Sequence, residues 1–314
     1  MPQKWDLETD VLVVGYGLAG AVAAITAHDA GARVAICEKG EYPGGQSILA
    51  GGGVKCVNNV DAATNYLTRT QAERIDSSLI RPFAEGLAEN EAYLTELATI
   101  NRARIKVMSS TQGLFEGVYP FPGQDSFYNV RVAEIPGFRG YPWVQQTQAA
   151  GVNTMKLVFD HVEKRSIPKH LATPVRRLIT DADGVVAGAL VEKSGQRFAI
   201  GARKAVILAC GGFEQSTWLQ KQYLQGLPFY SMAPLTHTGD GILMAQKVGA
   251  ALWHMWHVHG SYGFKLPEFP IAFRHPFGGS RNPKRIMPWI VVDKFGYRYM
   301  DEYHPAAQDT NHRP

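Results

Sequence analysis

Short apolar runs alternate with small-residue stretches over the first forty residues. Residues 10–14, Asp-Val-Leu-Val-Val, form a short and largely apolar run, which predicts a short buried parallel strand. Residues 19–30 are mostly small and predict a helix that ends at Gly31. A second apolar run, residues 33–37, predicts another strand. Strand, helix and strand in this order predict a βαβ unit with parallel strands.

Three glycines occupy the turn between the first strand and the helix. Gly15, Gly17 and Gly20 have the spacing Gly-x-Gly-x-x-Gly. In a dinucleotide site the first glycine allows a tight turn, the second lets the pyrophosphate approach the backbone, and the third lets helix and strand pack closely. The helix begins near Leu18 and Ala19, and its free N–H groups and positive dipole end favour phosphate there.

An acidic residue follows the second strand at the position where a ribose is bound. Glu38 comes eighteen residues after Gly20 and is followed by Lys39. A carboxylate there can accept hydrogen bonds from the ribose hydroxyls of an adenosine. The glycine motif alone would be weak evidence, but strand, glycines, helix, strand and acid all occur in order. The pattern therefore predicts a dinucleotide-binding unit, and its predicted cofactor contacts are Gly15, Gly17, Leu18, Ala19, Gly20, Glu38 and Lys39.

Two further glycine clusters follow, at residues 44–47 (Gly-Gly-Gln-Ser) and 51–53 (Gly-Gly-Gly). A nicotinamide domain has no evident need for them, whereas a flavin ring lies flat against backbone that must come very close. The sequence therefore predicts FAD as the cofactor. The predicted contact residues in these clusters are Gly45, Gln46, Ser47, Gly52 and Gly53.

These motifs resemble those of the flavoprotein family of succinate dehydrogenases, fumarate reductases and 3-ketosteroid dehydrogenases. Segments further along the chain resemble that family in the same order: residues 173–175 with 183–184, 205–214, 238–241 and 296–302. The resemblance implies an α/β fold with a Rossmann-like FAD-binding domain (GR2-type) and an inserted α+β substrate-capping domain. The FAD domain is expected over residues 1–255, and the beginning of the capping domain over residues 256–314.

The resemblance also implies cofactor contacts outside the first βαβ unit. They are a strand valine whose backbone touches adenine, a returning strand with its glycine turn, and the acid of a Thr-Gly-Asp-Gly segment. The residues are Val175, Ala209, Cys210, Gly211 and Asp240. In succinate dehydrogenases a histidine shortly before the second glycine pair binds the flavin covalently. Gln46 occupies that place, and because an amide cannot form the bond, the FAD is expected to be held non-covalently.

Hydride transfer between flavin N5 and a carbon beside a carbonyl or carboxylate is the chemistry that the resemblance implies. The net change is CH–CH to C=C or the reverse. Ala306 stands where fumarate reductases have a proton-donating arginine and ketosteroid dehydrogenases a tyrosine. Tyr303 and His304 lie beside it and are the predicted proton donors. Weaker candidates for substrate contact are His257, His259, Arg274, His275, His312 and Arg313.

Composition narrows the remaining possibilities. The 314 residues are 45% hydrophobic, so a sizeable core can form. The net charge of +4 is dispersed, which predicts no nucleic-acid partner. Three cysteines without a pairing pattern suit a reducing compartment, and acidic residues rather than basic ones precede the uncharged residues 11–27. We therefore expect a cytoplasmic protein without a membrane segment. No metal site is expected, because the histidines and cysteines show no ligand spacing beyond His257-Val-His259.

Two segments between the motifs have distinct patterns. Residues 61–98 predict helix, and residues 108–143, rich in Gly, Pro and aromatics, predict an irregular insertion.

The reaction type and the completeness of the chain leave alternatives. Nothing after Glu302 resembles the family's return to the FAD domain, so a fragment of a longer protein is expected. A flavoprotein oxidase of another reaction type and a non-catalytic FAD-binding remnant remain alternatives. A small-molecule substrate and an electron donor or acceptor are implied, while their identities, the reaction direction and the oligomeric state stay open.

Overall fold

The computed structural model describes residues 4–71, 74–108, 121–144, 150–224, 226–256, 263–274, 290, 292–293 and 295–298. Contacts among residues divide the chain into two units. The first unit comprises Met1–Gly53, Tyr93–Lys106 and Arg131–Met255, and the second comprises Val54–Ala92, Val107–Val130 and Trp256–Pro314. The assignment of residues 1–255 to an FAD domain and 256–314 to a capping domain stays a prediction.

The described part of the chain forms strands and helices in mixed order. The strands are β1 (Leu7–Val14), β2 (Val34–Cys37), β3 (Gly53–Val57), β4 (Arg104–Met108), β5 (Phe127–Glu134), β6 (Lys169–His170), β7 (Val175–Thr180), β8 (Val186–Lys193), β9 (Gln196–Leu208), β10 (Gly263–Phe264) and β11 (Phe273–Arg274). The helices are α1 (Leu18–Asp29), α2 (Gly45–Leu49), α3 (Val60–Thr70), α4 (Ser77–Ala98), α5 (Gly151–Lys164), α6 (Thr217–Tyr223) and α7 (Asp240–Lys247). No helix of these described residues is both long and apolar enough to span a membrane.

The main sheet of the first unit has six strands in the order β6-β2-β1-β9-β8-β7. β1 is parallel to both β2 and β9, and β2 is parallel to β6. β8 is antiparallel to β7 and β9. β1 lies in the middle, with Leu12 and Val13 fully buried, as its apolar run predicts. It begins three residues before the predicted strand because Leu7 already pairs with Ile200. The predicted α/β class with a Rossmann-like βαβ unit is confirmed.

β9 changes partners along its length. Its antiparallel pairing with β8 runs as far as Gly201, and its parallel pairing with β1 continues to Leu208. Among the described strands, residues 202–208 therefore pair with β1 alone. This parallel segment brings the end of β9 beside the ends of β1 and β2.

Helix α5 packs against α1 and α2, and a charged pair fixes its end. The Arg165 guanidinium donates two hydrogen bonds to the carboxylate of Asp29, at 2.6 and 2.7 Å. One turn earlier on α5, His161 is buried, and its Nε2 lies 2.8 Å from the carbonyl oxygen of Leu97. A bidentate Arg–carboxylate pair is geometrically specific, so it sets the position of α5 relative to the end of α1.

One expectation about the fold is wrong. Residues 108–143 were expected to be irregular, but β5 crosses them and joins a three-stranded sheet of order β3-β5-β4. Phe127, Val130 and Val132 are buried from this strand. The β-branched and aromatic residues of this segment suit a strand, but the surrounding Gly and Pro residues obscured that pattern.

A tight turn occupies the segment that resembles the family's Gly-x-Arg hairpin. Val292 and Arg298 form an antiparallel bridge. Asp293 donates its backbone N–H to Tyr297 O at 2.9 Å, and Gly296 donates to Asp293 O at 3.0 Å. Gly296 has φ of +87°, a conformation that suits glycine. Residues 292–293 and 295–298 thus belong to a turn, while residues 299–302 of the predicted hairpin lie outside the described residues.

Candidate cofactor site

A pocket opens in the first unit where β1, β2 and β9 end. The carboxyl ends of parallel strands are where α/β sheets bind ligands. Every predicted cofactor residue lines it except Gly20, Gly52 and Gly53. The lining also includes residues that the sequence did not single out: Val14, Tyr16, Cys37, Thr236, His237 and Met244.

The first glycine turn leaves no room for side chains. Gly15 has φ of +106°, and a β-carbon on it would lie 2.3 Å from the carbonyl oxygen of Ala209. A β-carbon on Gly20 would lie 2.0 Å from the carbonyl oxygen of Gly15. Gly20 thus acts from behind the pocket by letting α1 pack on the turn, which is the role that the motif predicts.

The N-terminus of α1 points its first donors toward the pocket. The first backbone bond within the helix runs from Ala21 N to Gly17 O, at 2.9 Å. Ahead of it, Leu18 donates its N–H to Ser47 Oγ at 3.1 Å. Ser47 therefore ties the second glycine cluster to the helix start, and the adjacent N–H of Ala19 belongs to the orphan donors that suit a phosphate.

Glu38 is held at the end of β2 by two backbone donors. Its Oε2 accepts from Tyr16 N at 2.8 Å, and its Oε1 accepts from Gly40 N at 2.7 Å. The residue is only 9% exposed. A carboxylate has about four acceptor positions, so both oxygens keep capacity for ligand hydroxyls. The arrangement suits the predicted ribose contact.

Lys39 and Asp240 bond to each other. Lys39 Nζ lies 2.8 Å from Asp240 Oδ2 and 2.6 Å from Thr238 Oγ1. Burial raises the pKa of Asp240, but the hydrogen bonds from Lys39 and Thr238 outweigh that effect and hold the pKa below its usual value. The pair links the residues after β2 to the Thr-Gly-Asp-Gly segment. Both side chains line the pocket, so they shape its charge as a nearly neutral pair.

Gln46 offers an unused acceptor at the second glycine cluster. Its Oε1 is buried and has no hydrogen-bond partner among the described residues. Gly44, two residues earlier, donates its N–H to Tyr16 O at 2.8 Å. This bond joins the cluster at residues 44–47 to the glycine turn that follows β1. A buried acceptor without a partner is costly. A bound ligand that donates there would remove that cost, so the residues present fit a dinucleotide with a polar ring system.

The two cysteines in the lining are chemically quiet. Burial raises the pKa of the Cys37 thiol to about 12 and that of the Cys210 thiol to about 11. Both therefore stay protonated near neutral pH, and a protonated thiol is a poor nucleophile and a poor metal ligand. No cluster of metal-binding side chains occurs in the part of the chain that the structure describes.

The predicted site residues outside the lining fall into two groups. Gly52 lies behind it, where a β-carbon would be 2.6 Å from the carbonyl carbon of Ala150, and Gly53 begins β3. The assignment of Gly20, Gly52 and Gly53 to the cofactor site stays a prediction. Tyr303 and His304 lie outside the described residues, as do the weaker candidates His257, His259, His275, His312 and Arg313.

The fold and the pocket together define a flavin-type dinucleotide-binding α/β protein. Residues 10–310 match the family described as FAD binding domain. The chain belongs to that family, and FAD is its cofactor. The inference of FAD from the sequence is confirmed, as is the resemblance to ketosteroid dehydrogenases and fumarate reductases.

Known relatives are longer than this chain. It is 25% identical to 3-oxosteroid 1-dehydrogenase from Comamonas testosteroni, over 69% of the chain and 49% of that protein. It is 29% identical to fumarate reductase (cytochrome) from Shewanella frigidimarina, over 79% of the chain and 41% of that protein. The crystal structure of 3-ketosteroid-delta4-(5alpha)-dehydrogenase from Rhodococcus jostii superimposes with a TM-score of 0.69 at 25% identity, covering 81% of this chain and 56% of that one. The chain thus spans about half the length of these relatives.

Proposed function

We propose that this protein acts as an FAD-dependent oxidoreductase. It converts a CH–CH bond beside a carbonyl or carboxylate to C=C, or the reverse. The observation that carries the proposal is the pocket itself, in which the motifs of this flavoprotein class converge at one edge of the sheet. Relatives with dehydrogenase and reductase names support the reaction class. When bound, FAD supplies hydride acceptor or donor capacity at its N5 atom.

The residues of the chain divide the binding of FAD between them. The α1 N-terminus with Gly17 and Ala19 is proposed to take the pyrophosphate. Glu38 takes the ribose hydroxyls, and Val175 contacts the adenine. Gln46 and Ser47 lie on the flavin side. Because Gln46 stands where succinate dehydrogenases carry the attaching histidine, the flavin is held without a covalent bond.

The proton step is assigned to Tyr303 and His304. Both sit beside the position where relatives of this class place a proton donor, and both side chains can deliver a proton to carbon beside a developing enolate. Ala306 at that position itself cannot do so. Residues 256–314 are accordingly proposed to begin the substrate-capping domain. Fumarate is not the proposed substrate.

The proposed reaction class also implies partners and a cellular location for the protein. A small-molecule substrate and a separate electron donor or acceptor are proposed partners, since the flavin must be reoxidised or reduced in each cycle. We propose a cytoplasmic location, which the acidic residues before β1 and the free cysteines Cys37, Cys56 and Cys210 support.

The reaction class is tested by reoxidation of the reduced flavin under anaerobic conditions. The photoreduced protein is mixed with an unsaturated steroid ketone, a small enone or fumarate, and the recovery of flavin absorbance is followed. A ketone-dependent reoxidation with no response to fumarate is expected. Fumarate reduction at ordinary enzymatic rates would contradict the assignment, because Ala306 stands where fumarate reductases carry their proton-donating arginine. The variants Tyr303→Phe and His304→Gln then test the proposed donors.

A further inference from the structure

A buried histidine in the wall of the cofactor pocket faces a carboxylate whose side chain is about half exposed. His237 is 6% exposed, lines the pocket, and has its Nδ1 3.3 Å from Glu214 Oε2. Its ring fits between two glycine turns. A β-carbon on Gly211 would lie 2.8 Å from the ring's Cε1, and a β-carbon on Gly45 would lie 3.5 Å from its Nε2. The ring therefore occupies space that a side chain at Gly211 would fill, and it lies at ordinary contact distance from Gly45.

Backbone bonds fix the pair in place. His237 donates its N–H to Pro234 O at 3.0 Å and accepts from Gln215 N at 2.9 Å. The side chain of Gln215 donates to Ala233 O at 2.6 Å. The two bonds from Gln215 thus join the segment that carries Glu214 to the segment that carries His237. Because Nδ1 faces the carboxylate, Nε2 is the ring atom left for a ligand.

The charge balance of the pocket makes the proton on this ring important. A bound dinucleotide brings about two negative charges on its pyrophosphate, and Glu38 already contributes one. The charge of Lys39 is largely cancelled by Asp240. Among the described residues that line the pocket, His237 is the group that can add positive charge by taking up a proton.

An ionised carboxylate faces the ring. Burial raises the pKa of Glu214, but the hydrogen bond with His237 outweighs that effect and holds the pKa below its usual value. Glu214 is therefore an anion beside the imidazole. The other titratable groups near this wall are Glu38 and Lys39 after β2, Cys210 after β9 and Asp240 at the start of α7; α2 contributes none. The Cys210 thiol stays neutral and does not compete for the proton.

We propose that His237 is a cofactor-binding residue, that Glu214 is its positioning residue, and that binding of FAD is coupled to uptake of a proton by His237. The inference rests on the proposed binding of FAD in this pocket. By linkage, a ligand that favours the protonated form binds more weakly as pH rises. The affinity for FAD should therefore fall as the pH rises, by up to about tenfold per pH unit.

Calorimetry on the flavin-stripped protein tests the coupling directly. FAD is titrated at one pH in two buffers with different heats of ionisation, which gives the number of protons taken up, and the Kd is then measured across the pH range. Wild type is expected to take up a fraction of a proton. His237→Gln is expected to take up none, to bind FAD about tenfold more weakly near pH 6, and to lose the pH dependence. Glu214→Gln should reduce both effects while leaving the imidazole present.

A matched control is available on the surface. His28 Nδ1 also lies 3.3 Å from a carboxylate oxygen, that of Asp29, but His28 does not line the pocket. His28→Gln should leave the proton uptake and the Kd unchanged. Melting temperatures of the flavin-free variants show whether each one folds. If His237→Gln does not fold, Glu214→Gln provides the test.

The possible results separate this inference from the proposed function. FAD binding by wild type without proton uptake, or with an uptake that His237→Gln retains, overturns the inference while the cofactor assignment stands. Failure of wild type to bind FAD at all overturns the proposed function instead. Loss of uptake in His237→Gln together with wild-type behaviour of His28→Gln supports the coupling.

Discussion

The backbone nitrogen of Tyr16 lies 2.8 Å from Oε2 of Glu38 and donates a hydrogen bond to it. Tyr16 sits inside the first glycine motif, so this bond joins the turn that receives the pyrophosphate to the acid that receives the ribose. Glu38 Oε1 accepts a second bond from Gly40 N. The Glu38 carboxylate thus holds the backbone at Tyr16 and Gly40 in place through the protein's own hydrogen bonds.

Replacement of Glu38 should therefore affect both binding and stability. Glu38→Ala is expected to weaken FAD binding by about 1.5–3 kcal/mol, the range for hydrogen bonds to a charged group. The fold should survive, since Glu38 follows β2 rather than filling the core, but the buried N–H of Tyr16 and the partly buried N–H of Gly40 lose their acceptor. Glu38→Gln keeps one acceptor oxygen and should give an intermediate Kd. Fluorescence titration of the flavin-free protein measures the Kd, and an unchanged affinity with an unchanged fold would remove Glu38 from the ribose site.

The Lys39–Asp240 pair should make stability depend on acid. The pKa of Asp240 is lowered in the folded state, so its contribution is fully present above the unfolded value and is lost as pH falls through the folded one. The side chains are 31% and 34% exposed, which limits the coupling to about 1 kcal/mol. A double-mutant cycle with Lys39→Met and Asp240→Asn, followed by urea unfolding, should give a coupling that is constant from about pH 7 to about pH 5 and shrinks below about pH 4.

The control for this cycle is Asp183→Asn at the exposed turn between β7 and β8, which should change the unfolding free energy little at any of these pH values. A coupling that is absent at neutral pH, or one that grows on acidification, would show that Lys39 and Asp240 do not stabilise each other in solution.

The sequence predicts the part of the site that is contiguous in the chain. Gly15, Gly17 and Glu38 belong to one βαβ unit, whose spacing follows from local geometry. His237 could not be found in that way, because its role depends on Gly45 and Gly211, which approach it only in the folded chain. The same limit applies to the pairing of Lys39 with Asp240, which lie 201 residues apart in the chain.

Other parts of the chain show what a glycine cluster leaves open. Gly52 is predicted to contact the flavin because a glycine cluster permits close approach, and that assignment stays a prediction; the backbone that approaches Gly52 in the structure is that of Ala150, next to the start of α5. β5 was missed because its short apolar pattern lies among glycines and prolines. Glycine marks a close backbone contact without identifying the partner in that contact.

The flavin should be released intact when the protein is denatured. Gln46 lacks the nucleophilic ring nitrogen that a covalent link requires, and its buried Oε1 can only accept a hydrogen bond. Acid precipitation of the yellow protein is expected to leave all flavin absorbance in the supernatant. Flavin that stays with the washed pellet would show a covalent bond and refute the argument from Gln46.

Two helical glycines allow a direct test of the packing behind the pocket. A β-carbon on Gly20 would lie 2.0 Å from Gly15 O, whereas one on Gly86, in α4, would have nothing within 4 Å outside its own helix. Gly86→Ala should therefore stabilise the fold by about 0.5–1 kcal/mol through helix propensity. Gly20→Ala has the same propensity gain but must push the turn away from α1, and should destabilise the fold by about 1–3 kcal/mol net. The displaced Gly15 turn should also weaken FAD binding about tenfold or more, while Gly86→Ala leaves the Kd unchanged. Urea unfolding and fluorescence titration of both variants measure these effects, and identical behaviour of the two alanine variants would mean that the close contact of Gly20 with Gly15 does not shape the site.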